Sequence, residues 1–197
     1  MYQLLVSGGV VGLFLQVVPI TCIAGAAYAI YRCIQIKNQK APVKWGTEIL
    51  RWLFVCYLTG LINLTLVPPN LWSNFWALIY IGDSGSQIEL FHGSFNFTPI
   101  LFKIVSGELS FGSWVQTMLA GNLLMFVPMG AFLPLLSAKT NGKAVLKLAI
   151  IIPIIIESLQ PVIGRSFDVD DLMLNFIGIL VGYWAAVGIK TFSCERG

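Results

Sequence analysis

Residues 157–183 read ESLQPVIGRSFDVDDLMLNFIGILVGY and follow the run AIIIPIII at 149–156. Five charged side chains, Glu157, Arg165, Asp168, Asp170 and Asp171, thus separate two long apolar stretches. That order is the mark of a helical hairpin whose two arms cross a bilayer and whose tip meets water. The rest of the chain agrees. Of its 197 residues, 57% are hydrophobic and 11% charged, with a mean hydropathy of +0.82, whereas soluble domains carry roughly a quarter charged residues. Crossing a hydrocarbon core takes about 20 apolar residues, and five stretches supply them, at roughly 4–31, 49–67, 113–136, 144–163 and 172–191. The expected fold is an all-α integral membrane protein of about five transmembrane helices.

The first stretch lacks the basic start and small-residue cleavage site of a secretory signal, so it is expected to remain as a span. It and its basic loop, roughly residues 1–48, lead into a membrane domain over roughly 49–197, with no repeat or linker that sets off a second fold. Short loops rich in Lys and Arg stay on the cytoplasmic side. Arg32, Lys37, Lys40, Lys44 and Arg51 flank the first connection, Lys139, Lys143 and Lys147 the third, and Lys190 and Arg196 the tail, leaving only Lys103 and Arg165 for the other two. The expectation is a multi-pass protein of the cell membrane with its N-terminus outside and its C-terminus cytoplasmic. Asp83, Glu89 and Glu108 in the second connection fit that orientation. Cys22 and Cys56 fall in spans and Cys33 and Cys194 on the reducing side, which implies no disulfide framework. The net charge of +3 carries no implication of nucleic acid binding.

The long outer connection, roughly 68–112, opens with PPN and continues LWSNFWALIYI, a run too short to span but rich in interfacial aromatics. An interfacial or re-entrant helix is expected there. The sole histidine, His92, reads as a loop or interface residue rather than a metal ligand.

The charged hairpin is where chemistry concentrates. Glu157 is expected about 10 Å of helix beneath the outer end of the fourth span, with Gln160 on the same face one turn later. An ionised carboxylate at that depth costs a few kcal/mol, on the order expected for intramembrane acids, unless it faces protein, water or a partner. From Asp168 onward, Asp171, Asn175, Gly178 and Gly182 recur at three and four residues and share one helical face. Gly178-x-x-x-Gly182 admits another helix closely, which would bring Asn175 within reach of the fourth span and Glu157. In the third span, GNLLMFVPMGAFLP at 121–134 sets Asn122 near the outer end, and Pro128, Gly130 and Pro134 would bend the helix and free carbonyls. A plainer reading stands beside this one. Asp168 suits the N-cap of the fifth helix, Asp171 completes a box-like cap, and Arg165 neutralises both.

These residues resemble the VanZ-like family of membrane proteins. Its signature of Glu-x-x-Gln followed by Arg-x-x-Asp-x-x-Asp-x-x-x-Asn-x-x-Gly is matched by Glu157, Gln160, Arg165, Asp168, Asp171, Asn175 and Gly178. The block at 121–134 matches too, as does NFTPI at 96–100, where family members more often read Asn-Leu-Ile-Pro-Phe. The resemblance implies an influence on resistance to teicoplanin, the acylated glycopeptide, more than to vancomycin, and leaves the chemistry open.

Two readings of that site follow. In the first, Glu157, Asp168 and Asp171 are catalytic, with Glu157 as general acid or base. The three hairpin aspartates then orient a substrate or hold a divalent cation, while Gln160, Arg165, Asn122 and Asn175 bind the substrate, Arg165 at a phosphate. Calcium-loop, zinc and serine-nucleophile patterns are lacking. In the second, the same residues bind a membrane lipid or acylated amphiphile, such as the glycopeptide or a lipid-linked wall precursor, without turnover. A proton-coupled permease is a third reading, but the paired inverted halves common in such folds are not evident.

Overall fold

A chain that crosses a bilayer must satisfy its backbone within itself, so long apolar runs fold as helices. The structure, a computed structural model, describes residues 10–38, 42–82, 90–91, 93–107, 112–137 and 140–194. Its helices are α1 (Val10–Lys37), α2 (Trp45–Leu66), α3 (Pro69–Ile81), α4 (Ile100–Val105), α5 (Ser113–Leu136), α6 (Gly142–Leu159) and α7 (Val169–Cys194). Two strands of two residues, β1 (Phe95–Asn96) and β2 (Phe167–Asp168), pair in parallel, Phe95 opposite Phe167 and Asn96 opposite Asp168. Five segments are long and apolar enough to cross a membrane: Val17–Lys37, Trp45–Leu66, Val115–Leu136, Gly142–Ile163 and Val169–Thr191. The protein is a multi-pass, all-α membrane protein. His92, Asp83, Glu89, Glu108, Lys40, Lys139 and Arg196 lie outside the described residues.

The chain groups into two compact units, residues 1–92 with 163–165, and residues 93–162 with 166–197. In the first, α1 packs along α2. Trp52 Nε1 donates to the Gly25 carbonyl at 2.9 Å, and a Cβ on Gly25 would meet Cys56 Sγ at 2.8 Å. The missing side chain is what lets α2 approach. The helix α1 continues past residue 31 to Lys37, because Arg32 finds a partner: its Nε and Nη2 each donate to a Glu48 oxygen at 2.6 Å, and Arg51 adds a 2.8 Å contact to the same carboxylate. A two-pronged guanidinium–carboxylate pair fixes geometry as well as charge. At 13 residues α3 is about 20 Å long, too short to span.

In the second unit, α7 packs against both α5 and α6. Phe126, Val145, Ala149 and Ile179 are fully buried there. Gly130 of α5 faces the backbone of Ile179 and Tyr183, Gly178 that of Leu123, and Gly182 that of Val127 and Ala131, each so close that a Cβ would collide. The Gly178-x-x-x-Gly182 seat, which the sequence offered to another helix, is taken by the third span. The C-terminal ends of α5 and α7 are tied by Lys190, whose Nζ donates to the Pro134 carbonyl. Asn141 caps α6, its side chain accepting from Ala144 N at 2.8 Å.

The fourth span also departs from the continuous helix expected over 144–163. Its α-helix ends at Leu159 and tightens into a 3₁₀ turn over Gln160–Ile163. Pro161 has no N–H to give the Glu157 carbonyl four residues earlier. Gly164, at φ +77°, then turns the chain with a backbone conformation that side chains disfavour. Glu157 thus occupies the last turn of α6 rather than the interior of a longer helix.

Candidate functional site

Glu157 is wholly buried. Its Oε2 accepts the backbone N–H of Asp168 at 3.1 Å. Gln160, also buried, is flanked by two acceptors, and with its amide assigned to satisfy them its nitrogen donates to Glu157 Oε2 at 3.1 Å and to the Ser166 carbonyl at 3.0 Å. The 3₁₀ turn and the short strand β2 are thereby stitched to the end of α6.

Asp168 immediately precedes α7, and its Oδ1 accepts the N–H of Asp170, the second helical residue, at 2.9 Å. This is the N-capping expected from the sequence. In a capping box the reciprocal bond to the cap's own N–H comes from the third helical residue, here Asp171. The protein departs from that plan. The N–H of Asp168 goes to Glu157 of the neighbouring helix, and Asp171 instead accepts from Asn122 Nδ2 of α5. A carboxylate from another helix thus completes the cap.

The remaining Asp168 oxygen, Oδ2, accepts from Asn96 Nδ2 at 2.9 Å. Asn96 Oδ1 in turn accepts from Lys103 Nζ at 3.2 Å. Asp170, 8% exposed, accepts the N–H of Ile100 at 2.8 Å, which caps α4 from a distance where its own N-cap, Pro99, has no side-chain acceptor. Removing that carboxylate should unlatch α4. Leaving a buried donor unsatisfied costs about 1–3 kcal/mol, so Asp170→Ala is expected to speed amide exchange at Ile100 by roughly tenfold or more in the purified protein. Asp170→Asn keeps an oxygen acceptor and should restore most of the protection; unchanged exchange in the alanine variant would show that α4 is held elsewhere.

Of the seven residues singled out in the sequence, six lie in the second unit. Glu157, Gln160 and Asp168 are joined in one hydrogen-bonded network, and Asp171 pairs with Asn122 at the head of the α5–α7 contact. Asn175, 3% exposed, lies one turn below Asp171, and its Oδ1 meets no hydrogen-bond donor among the described residues. Arg165 belongs to the first unit, where Nη1 donates to the Leu64 carbonyl in the last turn of α2 at 2.7 Å. A cation there complements the negative end of the helix dipole. Among the described residues no three His, Cys, Asp or Glu side chains converge to hold a metal ion. Glu157 Oε2, Asp168 Oδ1, Asp170 Oδ2 and Asp171 Oδ1 each accept from an N–H donor.

Sequence reasoning did not place Asn96, Lys103, Ser94 or Ser166 at the site. Asn96 opens the NFTPI block, and Lys103 is one of only two basic residues in its pair of connections, so both carried a signal without a location. A two-residue bridge between strands 72 positions apart is invisible to periodicity, and it is what brings them in.

A family described as VanZ/LLP1 has a model that matches residues 54–190. Neither a curated protein nor a solved structure matches the chain. The matched stretch takes in most of the chain and the whole network from Asn96 to Asn175, and on that ground the chain belongs to the VanZ/LLP1 family.

Proposed function

We propose that this VanZ-family protein lowers susceptibility to lipid-bearing glycopeptides of the teicoplanin kind by engaging an acylated amphiphile at the network around Glu157. In this reading the N-terminus is outside, the C-terminus is cytoplasmic, and the network faces outward. The observation that carries it is the convergence, at one end of α6 and α7, of Glu157, Gln160, Asp168, Asp170, Asp171, Asn122 and Asn96. Glu157 Oε2, both oxygens of Asp168, Asp170 Oδ2 and Asp171 Oδ1 are held by N–H donors, which suits a rigid polar surface. Glu157, Asp168 and Asp171 would shape that surface, Gln160 would brace it through Glu157 and Ser166, and Asn122 and Asn175 would offer amides to polar groups of the ligand.

A second reading, an enzyme acting on an envelope lipid or precursor with Glu157 as acid or base, draws on the full burial of Glu157 inside a span. Growth inhibition separates the two. A susceptible Gram-positive host expressing the protein is expected to tolerate more teicoplanin and no more vancomycin. Protection should also grow with acyl length, since each buried methylene contributes about 0.8 kcal/mol, or roughly fourfold in affinity. Glu157→Gln, at matched membrane abundance, retains an oxygen for Asp168 N–H, so hydrogen-bonded binding predicts that protection survives. Its loss would shift the case to proton transfer. Equal protection against both drugs, or none against either, would remove the reading altogether.

A further inference from the structure

The stretch from Ser94 to Val105 has two chemically opposite sides. On one, Ser94 Oγ lies 2.6 Å from Ser166 Oγ, the Ser94 carbonyl accepts from Phe167 N at 2.8 Å, and Asn96 and the Ile100 N–H bind Asp168 and Asp170. On the other, Phe95, Phe97, Phe102 and Val105 are 63%, 68%, 65% and 84% exposed. Two of these rings are already assembled with a third, that of Phe167. Phe95 stacks on Phe97 with centroids 6.2 Å apart, and Phe167 packs on them at 6.0 and 5.4 Å. A preformed apolar patch of this kind marks an interaction surface.

Chain geometry sets its level. The segments Gly142–Ile163 and Val169–Thr191 both cross a membrane by length and composition, and only residues 164–168 connect them. At about 3.5 Å per residue, Phe167 lies within roughly 7 Å of the start of the second segment. Strand β1 sits beside β2 at a spacing of about 4.8 Å, so Phe95 and its neighbour Phe97 are carried at the same height. The bond from Ile100 N–H to Asp170, the second residue of α7, holds Phe102 there as well. That height is where hydrocarbon gives way to headgroups, the zone in which aromatic rings concentrate.

We infer that the Phe95–Phe97–Phe102 face is an interaction surface for lipid, seated in the interfacial zone of the bilayer, with the bonds to Asp168 and Asp170 holding the opposite side. The segment is a polar-backed aromatic anchor. Lipid then borders the Asp168–Asp170 network directly, whatever that network binds. The inference is independent of any role in drug resistance.

Collision measurements on spin-labelled protein test it. The full chain, with its native cysteines replaced by alanine, is labelled at Phe97→Cys or Phe102→Cys and reconstituted in phosphatidylcholine–phosphatidylglycerol vesicles. Relaxation by oxygen, which partitions into lipid, is compared with relaxation by a water-soluble nickel chelate. Labels at Asn38→Cys, in an exposed turn, and Ile154→Cys, exposed within a span, give the aqueous and lipid limits. Both test sites should lie between these limits, with the oxygen-to-nickel ratio several-fold above that at Asn38. Ratios equal to that at Asn38 would place the face in water, and shielding from both reagents would mean that protein covers it; either overturns the inference. The two sites lie on different elements, so disruption by one label leaves the other to decide.

Discussion

Replacing Gly182 by alanine is expected to destabilise the protein by about 3 kcal/mol or more, and replacing it by leucine to prevent its accumulation in folded form. Without the solvent-driven hydrophobic effect between helices, spans associate through close packing, and small residues make that possible. At Gly182 the neighbour is backbone: a Cβ would run into the Val127 carbonyl and lie 3.0 Å from Ala131 N. A side chain can rotate away from an intruding methyl, but a carbonyl inside a helix cannot without disrupting α5. Gly178 and Gly130 share the same contact, so relief at one position strains the others. Gly188 supplies the control. A Cβ there meets nothing within 4 Å, so Gly188→Ala should cost nothing and, through helix propensity, raise stability by up to about 1 kcal/mol. Thermal unfolding in detergent distinguishes the pair, and equal midpoints would refute the close approach of α5 and α7.

Glu157→Ala is expected to be nearly as damaging, for a different reason. Alanine removes the acceptor of both the Asp168 N–H and the Gln160 amide. Each buried donor left unsatisfied costs about 1–3 kcal/mol, and loss of the cap at α7 comes with the first of them. A total of about 2–6 kcal/mol follows if the two add. Glu157→Gln should recover much of it, since its amide oxygen can still accept from Asp168. Amide exchange at Asp168 gives the local readout, fast in the alanine variant and slow in glutamine. Wild-type stability in Glu157→Ala would show that the cap is completed by another group.

The five spans were legible because hydropathy over about 20 residues is a strong signal. The face carrying Asp171, Asn175, Gly178 and Gly182 was legible because a helix repeats at 3.6 residues. Its partner was not. Leu123, Val127 and Ala131 meet the glycines with backbone atoms, and backbone carries no sequence signal. The same limit hid the partner of Glu157: a buried carboxylate announced itself, but its acceptance of a main-chain N–H did not. Arg165 reads as the natural counter-ion of three nearby aspartates, yet its guanidinium reaches the Leu64 carbonyl, 101 residues away in the chain. Periodicity reports which side of a helix is special and is silent about what faces it.

The parallel pairing of Phe95–Asn96 with Phe167–Asp168 also bears on topology. Hydrogen-bonded strands cannot sit on opposite sides of a bilayer, so the chain between them must cross it an even number of times. Segments Val115–Leu136 and Gly142–Ile163 supply two crossings. The bridge is therefore a parity check: deleting either segment alone would part the strands, whereas adding or removing a crossing before Ser94 would invert both together and leave the pairing whole.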